Sequence, residues 1–407
     1  MCGRSKKKLW IISEIFYPSE ASTGYILTKL AVGLAKHFDI YVLTRHHKKA
    51  SQDKYEEYKG IKIFRYPSAL FDSAWIIFRI VDAIRFCMAI FIAAMKKLSS
   101  DELVLCVTNP PFLPHFVRLL TVIRRARLLV LVHDVYPDLL VAVKVMKEAS
   151  ILYKLWSNLN RTLFRCADLI IVLSPDMKEL IIKRFNSAGL REKIIVIPNW
   201  AELDLINRVD KSFSRTRNVY NLNNKFVVEY AGNFGRPNDI ETIIGSAYQL
   251  KDKEDIVFLF AGNGAKRKYL ENQKKILKLD NIILLDTYRR NEQQDILGAA
   301  DIAIIALVKG MKGISFPSRL YNILASGRPL IVIVEQDSDL ATLVKNEGIG
   351  WVVRPGDNNS LAETIENAKR DSSLEEKGVK ARKIAEKYYS YDKILELFEK
   401  SLKQLDA

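Results

Sequence analysis

The sequence predicts an α/β protein of two Rossmann-like, doubly wound parallel-sheet domains, and three observations carry that expectation. At 407 residues the chain is too long for one ordinary hydrophobic core. Short apolar runs recur along it, each followed by a polar loop and a segment of helical spacing, as alternating strands and helices require. A polar, basic stretch from Leu203 to Asn224 interrupts the alternation, which restarts at Phe226. Domains are therefore expected at 1–205 and 206–387, with a last helix at about 388–407 long enough to pack back on the first. Two such sheets in series imply a cleft, with the chemistry on loops that follow strands.

The first half opens with a strand over Lys8–Ile15, a loop over Phe16–Gly24 and an amphipathic helix over Tyr25–His37. Strands are expected at Ile40–Thr44, Ile61–Tyr66, Val104–Thr108, Leu128–Val132, Leu169–Leu173 and Ile194–Ile197. Helices are expected at Ile151–Arg165 and Met177–Phe185, the second capped by Ser174-Pro175-Asp176. Ala74–Met95 comes closest to a membrane span, yet Arg79, Asp82 and Arg85 recur every three residues along it. Three ionisable groups at mid-span are costly in a bilayer, so it reads as an amphipathic helix ended by Lys96-Lys97. Its apolar side has two destinations open to it, the protein core and a lipid surface.

In the second half, strands are expected at Phe226–Ala231, Ile256–Ala261, Ile282–Leu285, Ile302–Leu307 and Gly350–Arg354, and a helix at Asp239–Leu250. From Leu361 onward the pattern is helical. Gly313–Pro329 reads as a loop turning into a helix at Ser315 or Phe316, with Pro317 in the first turn and Gly327 with Pro329 as the stop. Leu330–Val334 follows as a buried strand. A helix start with free amides, the Ser318 hydroxyl and the Arg319 guanidinium suits a phosphate; it also suits an ordinary helix start.

Hydrophobic content of 49% and charged content of 27% belong to a folded globular chain. The net charge of +16 calls for an anionic partner: nucleic acid, a membrane face or a phosphorylated substrate. No zinc finger or RNP-type aromatic strand accompanies it, and the charge gathers in the first half, which favours a membrane surface. Cys2, Cys87, Cys106 and Cys166 form no CxxC pair and, without a secretory signal, point to reduced thiols in the cytoplasm, three of them within apolar runs.

Several loops carry candidate chemistry. Ser22, Thr23 and Gly24 could hold an acceptor or simply cap a helix. His133-Asp134 follows a buried strand, where a polar or catalytic role is expected of one of the two. In Tyr230–Arg236, Gly232 and Gly235 let backbone amides approach an anion and Arg236 can pair with a diphosphate. Gly262-Asn263-Gly264, with Asp286 after the next strand, is part of a dinucleotide fingerprint, but Arg267 occupies the third glycine's place, which argues against a nicotinamide site. Asp337-Ser338-Asp339 has no further ligand cluster and reads as a solvated loop.

Together these stretches resemble glycosyltransferase family 4, the retaining enzymes of two-Rossmann GT-B fold, over nearly the whole chain. The resemblance rests on Phe16-Tyr17-Pro18 through Gly24, His133-Asp134, Tyr230–Arg236 with Asp239–Ile244, Gly262–Gly264, Ala300-Asp301, Pro317–Asn322 and Gly350–Val353 with Pro355-Gly356-Asp357. Pro317–Tyr321 with Tyr230–Asn233 looks most like the branch that makes bacterial surface polysaccharides of O-antigen, capsule or colanic-acid type. The resemblance implies transfer of a sugar from a nucleotide diphosphate donor, with retention and with no cofactor or obligatory metal; an N-acetylated amino sugar is one candidate. The donor would lie on the second domain at Gly232, Asn233, Gly235, Arg236, Gly262, Phe316, Pro317, Ser318, Arg319 and Asn322, its diphosphate meeting Arg236, the Gly235 amide and the amides of the helix starting near Phe316. The base would lie near Asp286, Thr287 and Tyr288. His133 matches the family's histidine at the reacting sugar, and the acceptor would be a polyprenyl-diphosphate-linked saccharide at the inner face of the cytoplasmic membrane.

Two departures stand out. Many members carry two glutamates where this chain has Ile314 and Asn322, so the usual contacts to donor sugar and ribose are not implied. The lysine often found shortly after Arg236 is also missing, and Arg319 is the candidate second cation. A GT-B nucleotide-sugar epimerase and an inactive GT-B scaffold are the competing readings.

Overall fold

The continuous apolar runs become parallel strands buried on both faces, and the amphipathic segments between them become the covering helices. The computed structural model describes residues 6–47, 54–66 and 76–405. It divides into two compact units, one of residues 1–138, 147–198 and 395–407, the other of 139–146 and 199–394.

In chain order the first stretch comprises β1 (Lys8–Ile12), α1 (Ser22–Leu34), β2 (Asp39–Arg45), β3 (Tyr55–Tyr58), β4 (Ile61–Tyr66), α2 (Ile76–Lys97), β5 (Leu103–Val107), α3 (Leu113–Arg124) and β6 (Arg127–Val132). Then come α4 (Asp138–Ala142), α5 (Ile151–Cys166), β7 (Leu169–Val172), α6 (Pro175–Phe185), α7 (Leu190–Lys193) and β8 (Ile194–Val196). These eight strands form one sheet in the order β3-β4-β2-β1-β5-β6-β7-β8. Every pair is parallel except β3–β4.

The second stretch comprises α8 (Arg215–Val219), β9 (Phe226–Ala231), α9 (Ile240–Gln249), β10 (Ile256–Ala261), α10 (Arg267–Leu277), β11 (Ile282–Leu285), α11 (Gln293–Ala299) and β12 (Ile302–Ala306). It closes with α12 (Arg319–Ser326), β13 (Leu330–Ile333), α13 (Asp339–Glu347), β14 (Gly350–Val353), α14 (Asn358–Arg370), α15 (Leu374–Tyr388) and α16 (Tyr391–Gln404). Its six strands form a wholly parallel sheet ordered β11-β10-β9-β12-β13-β14. In both sheets the first strand is central and the order reverses beside it, the switch point at which open α/β sheets bind ligands. Within the first unit, His37 pairs with Glu399 of α16 at 3.2 Å.

Several expectations are corrected. The first strand ends at Ile12, because the Ser13 hydroxyl bonds the Ile15 carbonyl at 2.9 Å and turns the chain out of the sheet. Ser22 and Thr23 are not caps: α1 begins at Ser22, the cap position is Ala21, and no side chain bonds there. The helix of the Gly313–Pro329 stretch begins at Arg319, not at Phe316, so Pro317 precedes the first turn. The residue before a proline is driven to extended backbone, which keeps Phe316 out of a helix. The Gly327 stop is as expected, in left-handed conformation at φ 63°.

The polar stretch Leu203–Asn224 is more than a connector. It contains α8, whose Arg217 is 1% exposed and pairs with buried Asp301. Arg217 also donates to the carbonyls of Ala299 (2.8 Å) and Leu222 (2.9 Å), and Asp301 accepts the Val227 amide at 2.8 Å. Of the cysteines, Cys87 and Cys106 are buried as expected, whereas Cys166 at the end of α5 is exposed; Cys2 lies outside the described residues.

Ala74 and Trp75 also lie outside the described residues, and α2 runs on to Lys97. Its inner side is Asp82, Phe86, Cys87, Ile90 and Ala94, all buried; Asp82 takes a bond from Arg85 at 3.2 Å. Its outer side exposes Phe78, Val81, Ile84, Met88 and Ile92. The helix is apolar on both sides, which settles its two candidate destinations as one met by the core and one left open. No helix among the described residues is long and apolar enough to cross a membrane.

Candidate functional site

In the second unit the loops after β9 and β10 interlock. Gly232 and Gly262 both have φ near 135°, where side chains are rarely tolerated. A Cβ on Gly262 would overlap the Gly232 carbonyl, and one on Gly264 would overlap Asn233 and the Phe234 backbone. Beneath them, Phe234 packs edge-on and Tyr230 at a tilt against Phe260 in the core below α9. Glycine is thus required here for loop-to-loop packing, and that packing presents the loop backbone at the C-terminal edge of the sheet.

One carbonyl organises the first loop. Asn233 O accepts from Tyr230 Oη (3.1 Å), Asn238 Nδ2 (3.0 Å) and Arg319 Nη2 (3.3 Å). Arg319 also donates to Asn238 Oδ1 at 3.1 Å, and its guanidinium lies 4.4 Å from the centre of the Tyr230 ring. The structure therefore brings Arg319 onto the Gly232–Asn233 loop although 86 residues separate Arg319 from Asn233.

Arg236 lies further along the same loop, on a cavity of about 540 Å³ that Asp239, Glu241, Lys266, Lys309 and Gly356 also line. Lys266 donates to the Asn238 carbonyl at 2.7 Å and pairs with Glu241 at 2.7 Å. Asp239 caps α9 through Thr242 (3.1 Å) and accepts the Gly356 amide at 3.0 Å, which fixes the cavity wall. Lys266 and Lys309 were not singled out from the sequence; the position of Lys266 two residues after Gly264 was the available signal.

The remaining predicted residues of this unit are placed as follows. Asp286 and Thr287 are exposed, and Asp286 lies 3.4 Å from Arg267 Nη2. Tyr288 is half-buried against Ala231, Ala261 and Ile296, and burial raises its hydroxyl pKa, with the Glu229 carboxyl adding to the effect. Ser318 occupies the cap position of α12, and Phe316 packs 6.2 Å from the Tyr321 ring. Ile314 is buried. Asn322 is engaged within the unit: its amide donates to Gln293 Oε1 at 3.2 Å and accepts the Glu202 N–H at 3.3 Å.

In the first unit His133 and Asp134 follow β6, their amides held by the Thr108 hydroxyl at 3.1 and 3.3 Å. His133 Nδ1 is 3.5 Å from Thr23 Oγ1, so two predicted residues 110 positions apart come together. Its Nε2 is buried without a partner, and burial lowers the imidazole pKa to about 4, leaving the ring neutral near pH 7. Gly24 packs tightly: a Cβ there would lie 2.8 Å from Ile15 Cγ2.

Residues 24–205 match Glycosyltransferase Family 4, and residues 212–388 match Glycosyl transferases group 1. The chain is 30% identical over 318 residues to a Pseudomonas aeruginosa protein named "Probable glycosyltransferase WbjE", covering 76% of each. It is 26% identical over 229 residues to Escherichia coli WcaI, named for colanic acid biosynthesis, covering 56% of this chain and 55% of that one. Among solved structures, sucrose-phosphate synthase from Thermosynechococcus elongatus superposes with a TM-score of 0.77 at 19% identity, covering 98% of this chain and 99% of that one. HepE from Anabaena, solved with UDP and glucose, gives 0.74 at 16% identity over 98% and 100%. The chain belongs to glycosyltransferase family 4 and is a glycosyltransferase of GT-B fold.

Proposed function

We propose that the enzyme moves a sugar from a nucleoside diphosphate donor, with retention and without a metal, to a lipid-linked saccharide during bacterial surface-polysaccharide assembly. The observation that carries the donor half is the interlocked pair of glycine loops with Arg319 laid across them. The Gly232 and Gly262 amides are engaged by the Ala261 and Leu285 carbonyls, so the Arg319 guanidinium is the group there that suits the charge developing on a leaving diphosphate. Arg236 and Lys266 line the adjoining cavity, so Lys266 joins Arg319 as a candidate for the cation that the family's absent lysine would have provided. HepE, of the same fold, holds UDP and glucose, and WcaI is named for colanic acid; both agree with this reading. His133, neutral and beside Thr23, fits a hydrogen-bonding role at the reacting sugar better than a cationic one.

The acceptor half rests on the first unit's surface. Helix α3 packs against both α2 and α5. Leu119, Val122 and Ile123 of α3, and Ile151, Leu152, Leu155 and Leu159 of α5, are exposed, as is the outer side of α2. Lys96, Lys97, Lys154, Arg161 and Arg165 stand exposed on α2 and α5. Apolar side chains with basic neighbours fit an anionic bilayer surface, at about 1 kcal/mol per basic residue.

The test is incubation with a panel of UDP- and GDP-sugars, with and without a polyprenyl-diphosphate-linked acceptor. Nucleotide release that depends on acceptor supports transfer; sugar interconversion without acceptor supports the epimerase. Failure to sediment with anionic vesicles at low salt would remove the membrane reading.

A further inference from the structure

One buried ionisable group in the second unit has no part in the site as described. Glu229 lies on β9, three residues before Gly232, and is fully buried. Its register neighbours, Leu259 on β10 and Ala303 on β12, have no polar side chain, and neither carboxyl oxygen has a hydrogen-bond partner. Arg319 Nη1, which belongs to the guanidinium lying across the glycine loop, is also buried without a partner. Such orphaned groups are rare in native interiors and call for a role.

Resting on the donor reading above, we infer that Glu229 is a positioning residue whose carboxyl sets the charge that Arg319 presents to the donor diphosphate, so that diphosphate binding holds Glu229 in its neutral form. The charges that act on Glu229 are those of Arg319 of α12 and Arg328, and Glu229 in turn acts through space on the hydroxyls of Tyr230 and Tyr288, the second of which also feels Arg290. Burial raises the carboxyl pKa to about 8, against the pull of Arg319 and then Arg328. Below that pH the carboxyl is neutral and the full charge of Arg319 is available to a ligand. Above it, the carboxylate partly cancels that charge, and an arriving diphosphate competes with it for one guanidinium. Two anions flanking a single cation raise each other's proton affinity, so binding near the midpoint takes up a proton. The ligand's own phosphates are already ionised above about pH 7 and add little to this uptake.

The experiment is calorimetric titration of UDP, and separately GDP, into the full-length protein at about pH 7, 8 and 9, in buffers of low and high ionisation enthalpy. Wild type is expected to take up on the order of half a proton at about pH 8 and to lose about fivefold in affinity between about pH 7 and 9. Glu229→Gln is expected to bind with neither effect. A wild-type affinity flat with pH and without proton uptake overturns the inference, as does a pH dependence that survives in Glu229→Gln. Should that variant not fold, Glu229→Leu, which removes the carboxyl and leaves no polar group to bury, takes its place with the same expected loss of both effects. Absence of binding by either nucleotide would overturn the donor reading as well, which separates the two failures.

Discussion

Replacing His115 with leucine should remove most of one component of acid sensitivity from the first unit. His115 lies in the first turn of α3, and both ring nitrogens are buried without partners. Burial, with Arg118 adding a smaller repulsion, lowers its pKa to about 4, against about 6.5 in an unfolded chain. The native ring therefore stays neutral down to about pH 4, while the unfolded chain takes a proton below about 6.5. The stability this group allows is complete above about pH 6.5 and is lost progressively as pH falls toward 4. At about pH 5 protonation favours the unfolded state by RT ln(1 + 10^1.5), about 2 kcal/mol, and the native state by less than about 0.1 kcal/mol. Neither nitrogen is bonded, so leucine should cost little at about pH 7.5. Urea denaturation of wild type and His115→Leu at about pH 7.5 and 5, followed by circular dichroism, reads the effect. The two units can unfold separately, so the transition to follow is the one that the substitution moves. The variant should lose about 2 kcal/mol less than wild type on acidification, a midpoint difference of somewhat under about 1 M urea. Equal losses in both proteins would refute the assignment.

Arg217→Ala should destabilise the second unit by about 3 kcal/mol, because it leaves the buried Asp301 carboxylate with only the half-exposed Lys211 as counter-charge; thermal and urea unfolding measure it. Gly262→Ala should leave the fold intact by circular dichroism yet weaken nucleoside diphosphate binding by more than about tenfold, since the loops after β9 and β10 must part to admit the methyl group. His133→Ala should cut kcat by about a hundredfold or more while donor affinity stays within about threefold; equal losses in both would assign His133 a structural role instead.

The strands were legible because the parallel sheets bury them on both faces, which writes them as apolar runs such as Ile256–Ala261. β3 was not, because Tyr55–Tyr58 is an exposed edge strand whose sequence alternates weakly. α3 was missed between Asn109-Pro110-Pro111 and Arg127, its outer leucine, valine and isoleucine blurring the period. The start of α12 was misplaced by three or four residues, because a proline permitted at a first helical position equally marks the residue before it as extended.

At the site, the Gly232–Arg236 and Gly262–Gly264 loops were readable from their glycines. That Arg319 would reach the Gly232–Asn233 loop, and that Asn322 would turn to Gln293 and Glu202, depends on tertiary packing that no local pattern encodes. Glu229 was invisible for a related reason. In Phe226–Ala231 it reads as one polar residue in an apolar strand, and only the sheet register shows that it has no partner.

The Arg217–Asp301 pair also governs how the chain can be cut. The Val227 amide of β9 donates to the Asp301 carboxylate, and that carboxylate is answered in turn by Arg217 of a helix lying before the strand and by Lys211. A fragment that began at Phe226, where the α/β alternation resumes, would carry Asp301 into the interior with an unanswered charge. Excision of the second unit as a stand-alone protein, for crystallisation or domain exchange with a relative, must therefore keep the chain from Asp210 onward, which retains both Lys211 and Arg217. Grafting the second unit onto a relative carries its polar leader along as an inseparable piece.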